Sequence, residues 1–229
     1  IRDKLLLVLI FVAGEVTEWQ GYGIGSEREY TYSRRFGWMK KINRKFLRLI
    51  FYKRNPEEFF RFYRNKMLFP NAEPNNAHKA LAKLEEMGKL KAVITQNIDG
   101  LHQKAGSKVV YELHGSVYRN HCESCGKFYG FDEVYKMQGI PRCQCSGIIK
   151  PDVVLYEEGL EQMTINRSVE AIAKADVLII GGTSLAVYPA AGLIDYYRGN
   201  KLILINKRKR TNPTLPQSKH RFSHTVRTW

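Results

Sequence analysis

The sequence lacks any run of apolar residues long enough to cross a membrane. Its longest run, Leu5 to Ala13, has nine residues, whereas a membrane-spanning helix needs about 20. Because Arg2-Asp3-Lys4 precedes this run, the segment resembles a short signal peptide, but we interpret Leu5 to Val12 as a buried first strand. The absence of a longer run excludes a transmembrane helix from the expected architecture.

Cysteine is scarce, and all four cysteines lie within one short stretch. Cys122-Glu-Ser-Cys125 and Cys143-Gln-Cys145 form two close pairs separated by 17 residues, which lets four thiolates converge on one tetrahedral Zn²⁺. Two disulfides, or a redox-active Cys-x-x-Cys pair, are the alternatives. A zinc site with four protein ligands is structural, since no coordination position remains for substrate or water. Zinc-bound thiolates suit a reducing compartment, and we therefore expect a cytoplasmic protein.

Acidic residues are missing from the C-terminal segment 207–229, which contains seven Lys and Arg residues. Residues 1–54 carry a net charge of +7 as well, so residues 55–206 contribute only +1 to the formal +15 of the chain. Lys207-Arg208-Lys209-Arg210 could contact a phosphate backbone, but no aromatic stacking platform surrounds it. We interpret this basic run as a solvated tail and expect no nucleic-acid partner.

A regular alternation of helices and strands begins near residue 76, where Asn76 is the predicted N-cap of a helix that ends at Gly88. Strands are predicted at 91–95, 109–113, 176–180 and 201–205, and helices at 165–174 and 188–197. Residues 150–155 are predicted to return to the main body after the cysteine module. This order requires crossover connections and therefore predicts a parallel sheet in a chain that can form one domain with a small inserted module.

Polar residues follow four of the predicted strands, at the point where each strand ends. They are Gln96, Asn97 and Asp99, then His114, then Thr183 and Ser184 after Gly181-Gly182, and Asn206. Each residue alone would be a common cap or turn residue, and a lone Gly-Gly-Thr-Ser is a weak phosphate-binding signal. Because ligands of parallel α/β sheets bind at the carboxyl ends of the strands, a nucleotide across this edge would explain all four positions together.

Six segments in this order resemble the sirtuins, a family of NAD-dependent protein deacylases. They are Thr95-Gln96-Asn97-Ile98-Asp99-Gly100-Leu101-His102, Glu112-Leu113-His114-Gly115, the four cysteines, Lys150-Pro151-Asp152-Val153-Val154, Gly181-Gly182-Thr183-Ser184-Leu185 and Leu204-Ile205-Asn206. The resemblance covers roughly residues 55–206. It implies an α/β fold with a Rossmann-like parallel sheet, helices on both faces, a small inserted zinc-binding module and a helical module.

The resemblance also implies a division of the chain and two cofactors, NAD and zinc. Residues 1–26, 76–115 and 151–229 would form the Rossmann-like domain, residues 27–75 the helical module, and residues 116–150 the zinc-binding module. The metal ligands would be Cys122, Cys125, Cys143 and Cys145. A monomer that acts on an acylated-lysine protein or peptide is expected, with no membrane partner.

The reaction implied by the resemblance transfers the acyl group of an acyl-lysine to ADP-ribose and releases nicotinamide. His114 would act as general base on a ribose hydroxyl, since an imidazole titrates near neutral pH. The other residues at the strand ends would contact NAD. Gln96 and Asn97 would contact the ribose, and Ile98 and Asp99 the nicotinamide. The phosphates and the adenine-side ribose would be held by Gly181, Thr183, Ser184 and Asn206. Val153 would pair its backbone with the substrate peptide, and Tyr156 would line the lysine tunnel.

The chain departs from the family pattern in three places. Residues 1–54 contain no Gly-Ala-Gly-x-Ser loop, and we interpret the glycine-rich stretch 21–26 as a flexible loop. Residues 207–229 lack the polar turn and final strand. Where many members read aromatic-Gly-Glu, this chain has Tyr156-Glu157-Glu158, which leaves its acyl-chain preference open.

The altered ends support a hypothesis about the gene and two alternative functions. We expect 1–54 and 207–229 to be out-of-frame translations, with divergent but functional ends as the alternative. The alternatives to deacylation are a catalytically impaired sirtuin-like protein without the cofactor-binding loop, and an NAD-dependent protein ADP-ribosyltransferase.

Overall fold

A computed structural model describes residues 7–11, 45–181, 190–205 and 224–226 of the chain. The chain divides into two compact units. The sheet unit comprises residues 1–18, 72–113 and 160–229, and the cysteine unit comprises residues 19–71 and 114–159. The finer division into a Rossmann-like domain and two modules stays a prediction.

The described helices and strands have the following bounds in chain order. They are β1 (Leu7–Phe11), α1 (Leu49–Arg54), α2 (Pro56–Lys66), α3 (Asn76–Glu86), β2 (Leu90–Thr95), α4 (Leu101–Lys104), β3 (Val110–Glu112), β4 (Gly115–Cys122), β5 (Phe128–Gly130), α5 (Phe131–Tyr135), β6 (Ile149–Val153), α6 (Gln162–Ala173), β7 (Val177–Gly181), a 3₁₀ helix (Ala190–Tyr196), β8 (Lys201–Ile205) and β9 (His224–Val226). None of the helices in the described part of the chain combines the length and apolar character needed to cross a bilayer.

The sheet unit contains a six-stranded sheet in the order β3-β2-β1-β7-β8-β9. All of its neighbouring strands are parallel, which confirms the predicted parallel sheet. Apolar side chains cover both faces. Ile94, Leu178 and Ile180 belong to a core with α6 and the 3₁₀ helix, whereas Val93 and Val177 pack with Leu81 of α3 in a second core. Successive strand residues point to opposite faces, so helices cover the sheet on both sides.

Three local details of the sheet unit differ from the sequence prediction. β9 lies within residues 207–229, where the sequence analysis expects no final strand, and it pairs parallel with β8, so that expectation is wrong. Asn75, not Asn76, caps α3: its side chain accepts a hydrogen bond from the His78 N–H at 3.1 Å, and the His78 ring accepts one from the Asn75 N–H at 3.3 Å. Residues 190–196 form a 3₁₀ helix instead of the α-helix predicted for 188–197. Gly192 is an unfavourable residue within an α-helix, which is consistent with the short, tighter element.

In its described residues the cysteine unit contains helices α1 and α2, which share an aromatic core, the short helix α5 and a three-stranded antiparallel sheet. The rings of Tyr52, Phe59, Phe60 and Tyr63 are buried and pack mostly edge to face. The sheet has the order β5-β4-β6. The sequence predicts that residues 150–155 return to the main body after the cysteine module. In the structure β6 lies in the cysteine unit and pairs antiparallel with β4, and its alternating burial fits a sheet with one covered face.

Candidate active site and metal centre

The carboxyl ends of the parallel strands meet at one edge of the sheet unit. Phe11 of β1 pairs with Thr95 of β2 and with Gly181 of β7, and Gly181 pairs with Ile205 of β8. The segments that follow β2, β7 and β8 therefore start side by side. Among the predicted site residues, Gln96, Asn97, Ile98, Asp99 and Gly181 are described here, whereas Thr183, Ser184 and Asn206 lie outside the described residues.

The loop after β2 is held by its own polar side chains. The hydroxyl of Thr95 accepts a hydrogen bond from the Asn97 N–H at 3.0 Å. The side-chain amide of Asn97 donates to one oxygen of Asp99 at 3.2 Å, and the other oxygen of Asp99 accepts from the Leu101 N–H at the start of α4, at 3.1 Å. The Asp99 carboxylate is thus oriented before any ligand arrives.

Two buried histidines pack against each other close to this loop, one of them in the helix α4 that follows it. His78 of α3 and His102 of α4 are each 1% exposed, and their ring centroids are 4.5 Å apart. Burial, with a smaller contribution from His78, lowers the pKa of His102 to about 4. Burial also lowers the pKa of His78, although the negative charge of Asp99 opposes this shift. The sequence analysis did not identify the pair. The one local signal is that His78 lies three residues after the helix cap Asn75, and this signal says nothing about contact with His102.

His114 lies in the cysteine unit, directly before β4, and is half-buried. Its carbonyl oxygen accepts a hydrogen bond from the Val154 N–H at 3.0 Å, and the next residue, Gly115, pairs with Val153 of β6. The structure therefore brings the predicted general base next to the predicted peptide-binding residue within this unit.

The segment after β6 is fixed on both sides of Tyr156. The Tyr156 N–H donates to the carbonyl of Leu47 at 2.8 Å, and the Leu49 N–H donates to the carbonyl of Tyr156 at 3.0 Å. The Tyr156 ring is 48% exposed. Lys150 donates to the Glu158 carboxylate at 3.1 Å, and the same carboxylate oxygen accepts from the Leu155 N–H at 2.7 Å.

The four cysteines come together in the cysteine unit as the sequence predicts. Their sulfur atoms all lie within 4.8 Å of one another, with 3.4 Å between Cys122 and Cys145 and 3.6 Å between Cys125 and Cys143. These distances exclude disulfides, which need about 2.05 Å. Zn–S bonds of about 2.3 Å in a tetrahedron place sulfurs nearly 4 Å apart, so the cluster has the size of a zinc site.

Electrostatics within the cluster also favour a cation. The Tyr129 hydroxyl donates to Cys143 at 3.1 Å, and this hydrogen bond is the largest contribution that lowers the pKa of Cys143 to about 6. A backbone hydrogen bond from Gly147 acts to lower the pKa of Cys145, but hydrogen bonds with the other thiols raise it to about 12. Four adjacent thiols cannot all ionise without a compensating charge, and a divalent cation supplies that charge.

The turn around Cys143 leaves no room for a larger residue. A Cβ on Gly147 would lie 2.7 Å from the sulfur of Cys122 and 2.5 Å from the hydroxyl of Ser124. The Cys143 N–H donates to the Gly147 carbonyl at 2.9 Å, which closes the turn that carries Cys143 and Cys145. The residues present therefore fit a structural zinc ion.

Comparison with known proteins places this parallel α/β chain, with its inserted four-cysteine cluster, in one family. Residues 32–189 match the Sir2 family, and the chain belongs to it. This match begins inside the segment 1–54 and ends before Asn206, so it is shifted relative to the range 55–206 identified from the motifs.

Its relatives and solved structures agree with this assignment. The chain is 65% identical over 159 residues to an NAD-dependent protein deacetylase of Clostridium acetobutylicum. The matched residues make up 69% of this chain and 65% of the relative. The chain is 47% identical over 154 residues to one of Staphylococcus aureus strain N315, covering 67% and 63%. The chain thus spans slightly less than two thirds of the length of these relatives.

Two solved structures show the similarity of fold. One, described as "Structural Basis for the Mechanism and Regulation of Sir2 Enzymes", has a TM-score of 0.75 and 33% identity, covering 99% of this chain and 87% of that one. Another, described as "Sir2-p53 peptide-NAD+", has a TM-score of 0.72 and 35% identity, covering 91% and 83%. The parallel sheet with helices on both faces is therefore a sirtuin fold.

Proposed function

We propose that this chain is an NAD-dependent protein lysine deacylase that releases nicotinamide and O-acyl-ADP-ribose. The observation that carries the proposal is the 65% identity to a protein deacetylase over 159 residues. The family match at 32–189 also contains the Asp99 loop, His114 and the segment after β6. On the ground of its zinc-binding thiolates, we place the protein in a reducing compartment, the cytoplasm.

In this proposal the sheet edge binds NAD, which supplies the electrophilic ribose carbon when bound. Gln96 and Asn97 contact its ribose, while Ile98 and Asp99 contact the nicotinamide. The Asp99 carboxylate suits the carboxamide NH₂ because a carboxylate only accepts hydrogen bonds and is already oriented by Asn97 and Leu101. Gly181, Thr183, Ser184 and Asn206 hold the phosphates and the adenine-side ribose.

His114 is the proposed catalytic base. Its imidazole accepts a proton from a ribose hydroxyl, which makes that oxygen a better nucleophile toward the acyl carbon. The backbone of His114 is fixed to β6 through the Val154 N–H, so the ring starts from a defined position. An imidazole suits this role because the ordinary pKa of a histidine side chain is close to neutral pH.

The acylated peptide is the proposed second substrate. Val153 ends β6, and its backbone is proposed to pair with the extended peptide as an added strand. Tyr156 is proposed to line the entry of the acyl-lysine side chain, and its half-exposed ring is available for such a contact. The zinc ion, held by Cys122, Cys125, Cys143 and Cys145, has no place in the reaction because four protein ligands complete its coordination.

A second candidate is an inactive sirtuin fold, which the missing Gly-Ala-Gly-x-Ser motif of residues 1–54 favours. That loop would supply backbone donors to the pyrophosphate, and each hydrogen bond to a charged group contributes about 1.5–3 kcal/mol. Losing several of them would weaken NAD binding by roughly a thousandfold.

Nicotinamide release from NAD by the purified full chain, with and without an acetyl-lysine peptide, distinguishes the two. We expect release that depends on peptide and is lost in His114→Ala. His121→Ala is the matched control, since His121 is exposed, and should retain the activity of the wild-type chain. Absence of release from a folded, zinc-loaded wild-type chain would overturn the proposal in favour of the inactive fold, and labelled NAD on protein would indicate ADP-ribosyl transfer.

A further inference from the structure

Glu157 holds a backbone conformation that residues with a side chain rarely adopt. Its φ angle is 81°, and within the described part of the chain Ser146 is the other non-glycine residue with a positive φ. The left-handed region is strained for such residues because the Cβ approaches the following carbonyl. Such a conformation persists only where the surrounding structure holds it, so Glu157 needs contacts that keep it there.

The side chain of Glu157 is held by Arg48, 109 residues away in sequence. The Nε of Arg48 donates to one carboxylate oxygen at 2.7 Å, and its Nη2 donates to the same oxygen. The other oxygen accepts a hydrogen bond from the Ile50 N–H at 3.3 Å. The hydrogen bond from Arg48 is the main cause that lowers the pKa of Glu157, so the carboxylate stays charged at neutral pH.

This ion pair extends a backbone contact at the neighbouring residue. Arg48 and Tyr156 form a parallel bridge, with hydrogen bonds from Tyr156 to Leu47 and from Leu49 to Tyr156. Two residues, 156 and 157, are therefore attached to the same stretch 47–50 through backbone and side chain together. Without the ion pair, two backbone hydrogen bonds would connect Tyr156 to this stretch.

The next residue, Glu158, is anchored in a different place. Its carboxylate accepts a hydrogen bond from the Lys150 ammonium at 3.1 Å, and the same ammonium also donates to the carbonyl of Val153 at 3.2 Å. The side chains of Lys150 and Glu158 are only 17% and 22% exposed. Those of the other pair, Arg48 and Glu157, are 54% and 37% exposed. Consecutive glutamates thus fasten the segment at two separate points, and Tyr156 precedes both.

We propose that the Arg48–Glu157 ion pair is a positioning element of the acyl-lysine peptide site. It holds residues 155–158 in the conformation that presents the Tyr156 ring to the peptide. This inference rests on the proposed function, since the peptide is the substrate of that function. A pair with a purely structural role would change stability and leave peptide affinity unaltered.

The test measures the affinity of a fluorescent acetyl-lysine peptide by anisotropy, without NAD, and in parallel the KM and kcat for deacylation. Arg48→Met and Glu157→Gln should each weaken peptide binding and raise KM by about fivefold, the size of an exposed ion pair, with little change in kcat. Glu157→Gly removes the ion pair and the strain together, so it should weaken peptide binding while the unfolding midpoint stays equal or rises.

Two further variants isolate the pair. The double variant Arg48→Glu/Glu157→Arg should return the affinity to within about twofold of the wild type, because the interaction is restored in reverse. Arg61→Met is the matched control: Arg61 forms a similarly exposed ion pair with Glu58 at 2.8 Å on α2, and its loss should leave peptide affinity unchanged.

The outcomes separate this inference from the proposed function. Equal peptide affinities for the wild type, Arg48→Met and Glu157→Gln would overturn the inference, even where the wild-type chain deacylates the peptide. A wild-type chain without turnover would overturn the proposed function, and weaker peptide binding by the variants would then still support the positioning role.

Discussion

The carbonyl oxygen of Asp152 lies 1.7 Å from the point that a Cβ on Gly115 would occupy. Gly115 has a φ angle of 75° and pairs with Val153, so β4 and β6 approach each other here more closely than any other residue would allow. His114 precedes this glycine and accepts a hydrogen bond from Val154. The close approach therefore fixes the backbone of the proposed catalytic base.

We predict that Gly115→Ala lowers the free energy of unfolding by about 2–4 kcal/mol, through backbone strain and the clash with Asp152. Urea unfolding of the full chain measures the loss. Gly139→Ala is the matched control, since Gly139 also has a positive φ but no atom within 4 Å of its added Cβ. It should show the backbone strain alone, about 1 kcal/mol. Equal losses in the two variants would contradict the role given to Asp152.

The parts of the fold that could be predicted from the sequence are those with a local signal. The apolar run of β7 is buried on both faces, which is why its pattern predicts a strand of a parallel sheet. The spacing of the four cysteines predicts their convergence, because short loops between ligands restrict where the sulfurs can meet. Polar residues at strand ends predict the sheet edge, since parallel strands share their direction.

The parts that sequence reasoning missed depend on partners distant in the chain. The Arg48–Glu157 pair joins residues 109 positions apart, and no local sequence pattern predicts this contact. The place of β6 could have been found, because Ile149, Pro151 and Val153 are buried alternately, as in an antiparallel strand with one covered face. The prediction that residues 150–155 return to the main body followed chain order and did not use this alternation.

The cysteine cluster predicts about one zinc ion per chain and a marked dependence of stability on that ion. Cys143→Ser should abolish zinc binding and lower the free energy of unfolding by about 4 kcal/mol or more, because the binding free energy of the zinc ion stabilises the folded chain and is lost with the ion. Elemental analysis and urea unfolding measure the two effects. Ser124→Ala, a neighbouring change that keeps all four ligands, should retain the metal. Full zinc content in Cys143→Ser would refute a four-cysteine site.

The buried histidine pair predicts a loss of stability in mild acid. The pKa of His102 is about 4 in the folded chain and near 6.5 when unfolded. Between these values the unfolded state binds the proton and the native state does not, so the free energy of unfolding falls as the pH decreases. A difference of this size corresponds to about 3 kcal/mol between pH 7 and pH 4.

Urea unfolding of wild type and His102→Gln at several pH values between 7 and 4 tests this prediction. Glutamine does not titrate, so the variant should lose less stability than the wild type over this range, although it starts from a lower value at pH 7. His121→Gln is the control at an exposed position and should follow the wild-type curve. Parallel curves for wild type and His102→Gln would contradict the prediction, because they would mean that the pKa of His102 is the same in the folded and the unfolded chain and that the acid sensitivity belongs to other groups.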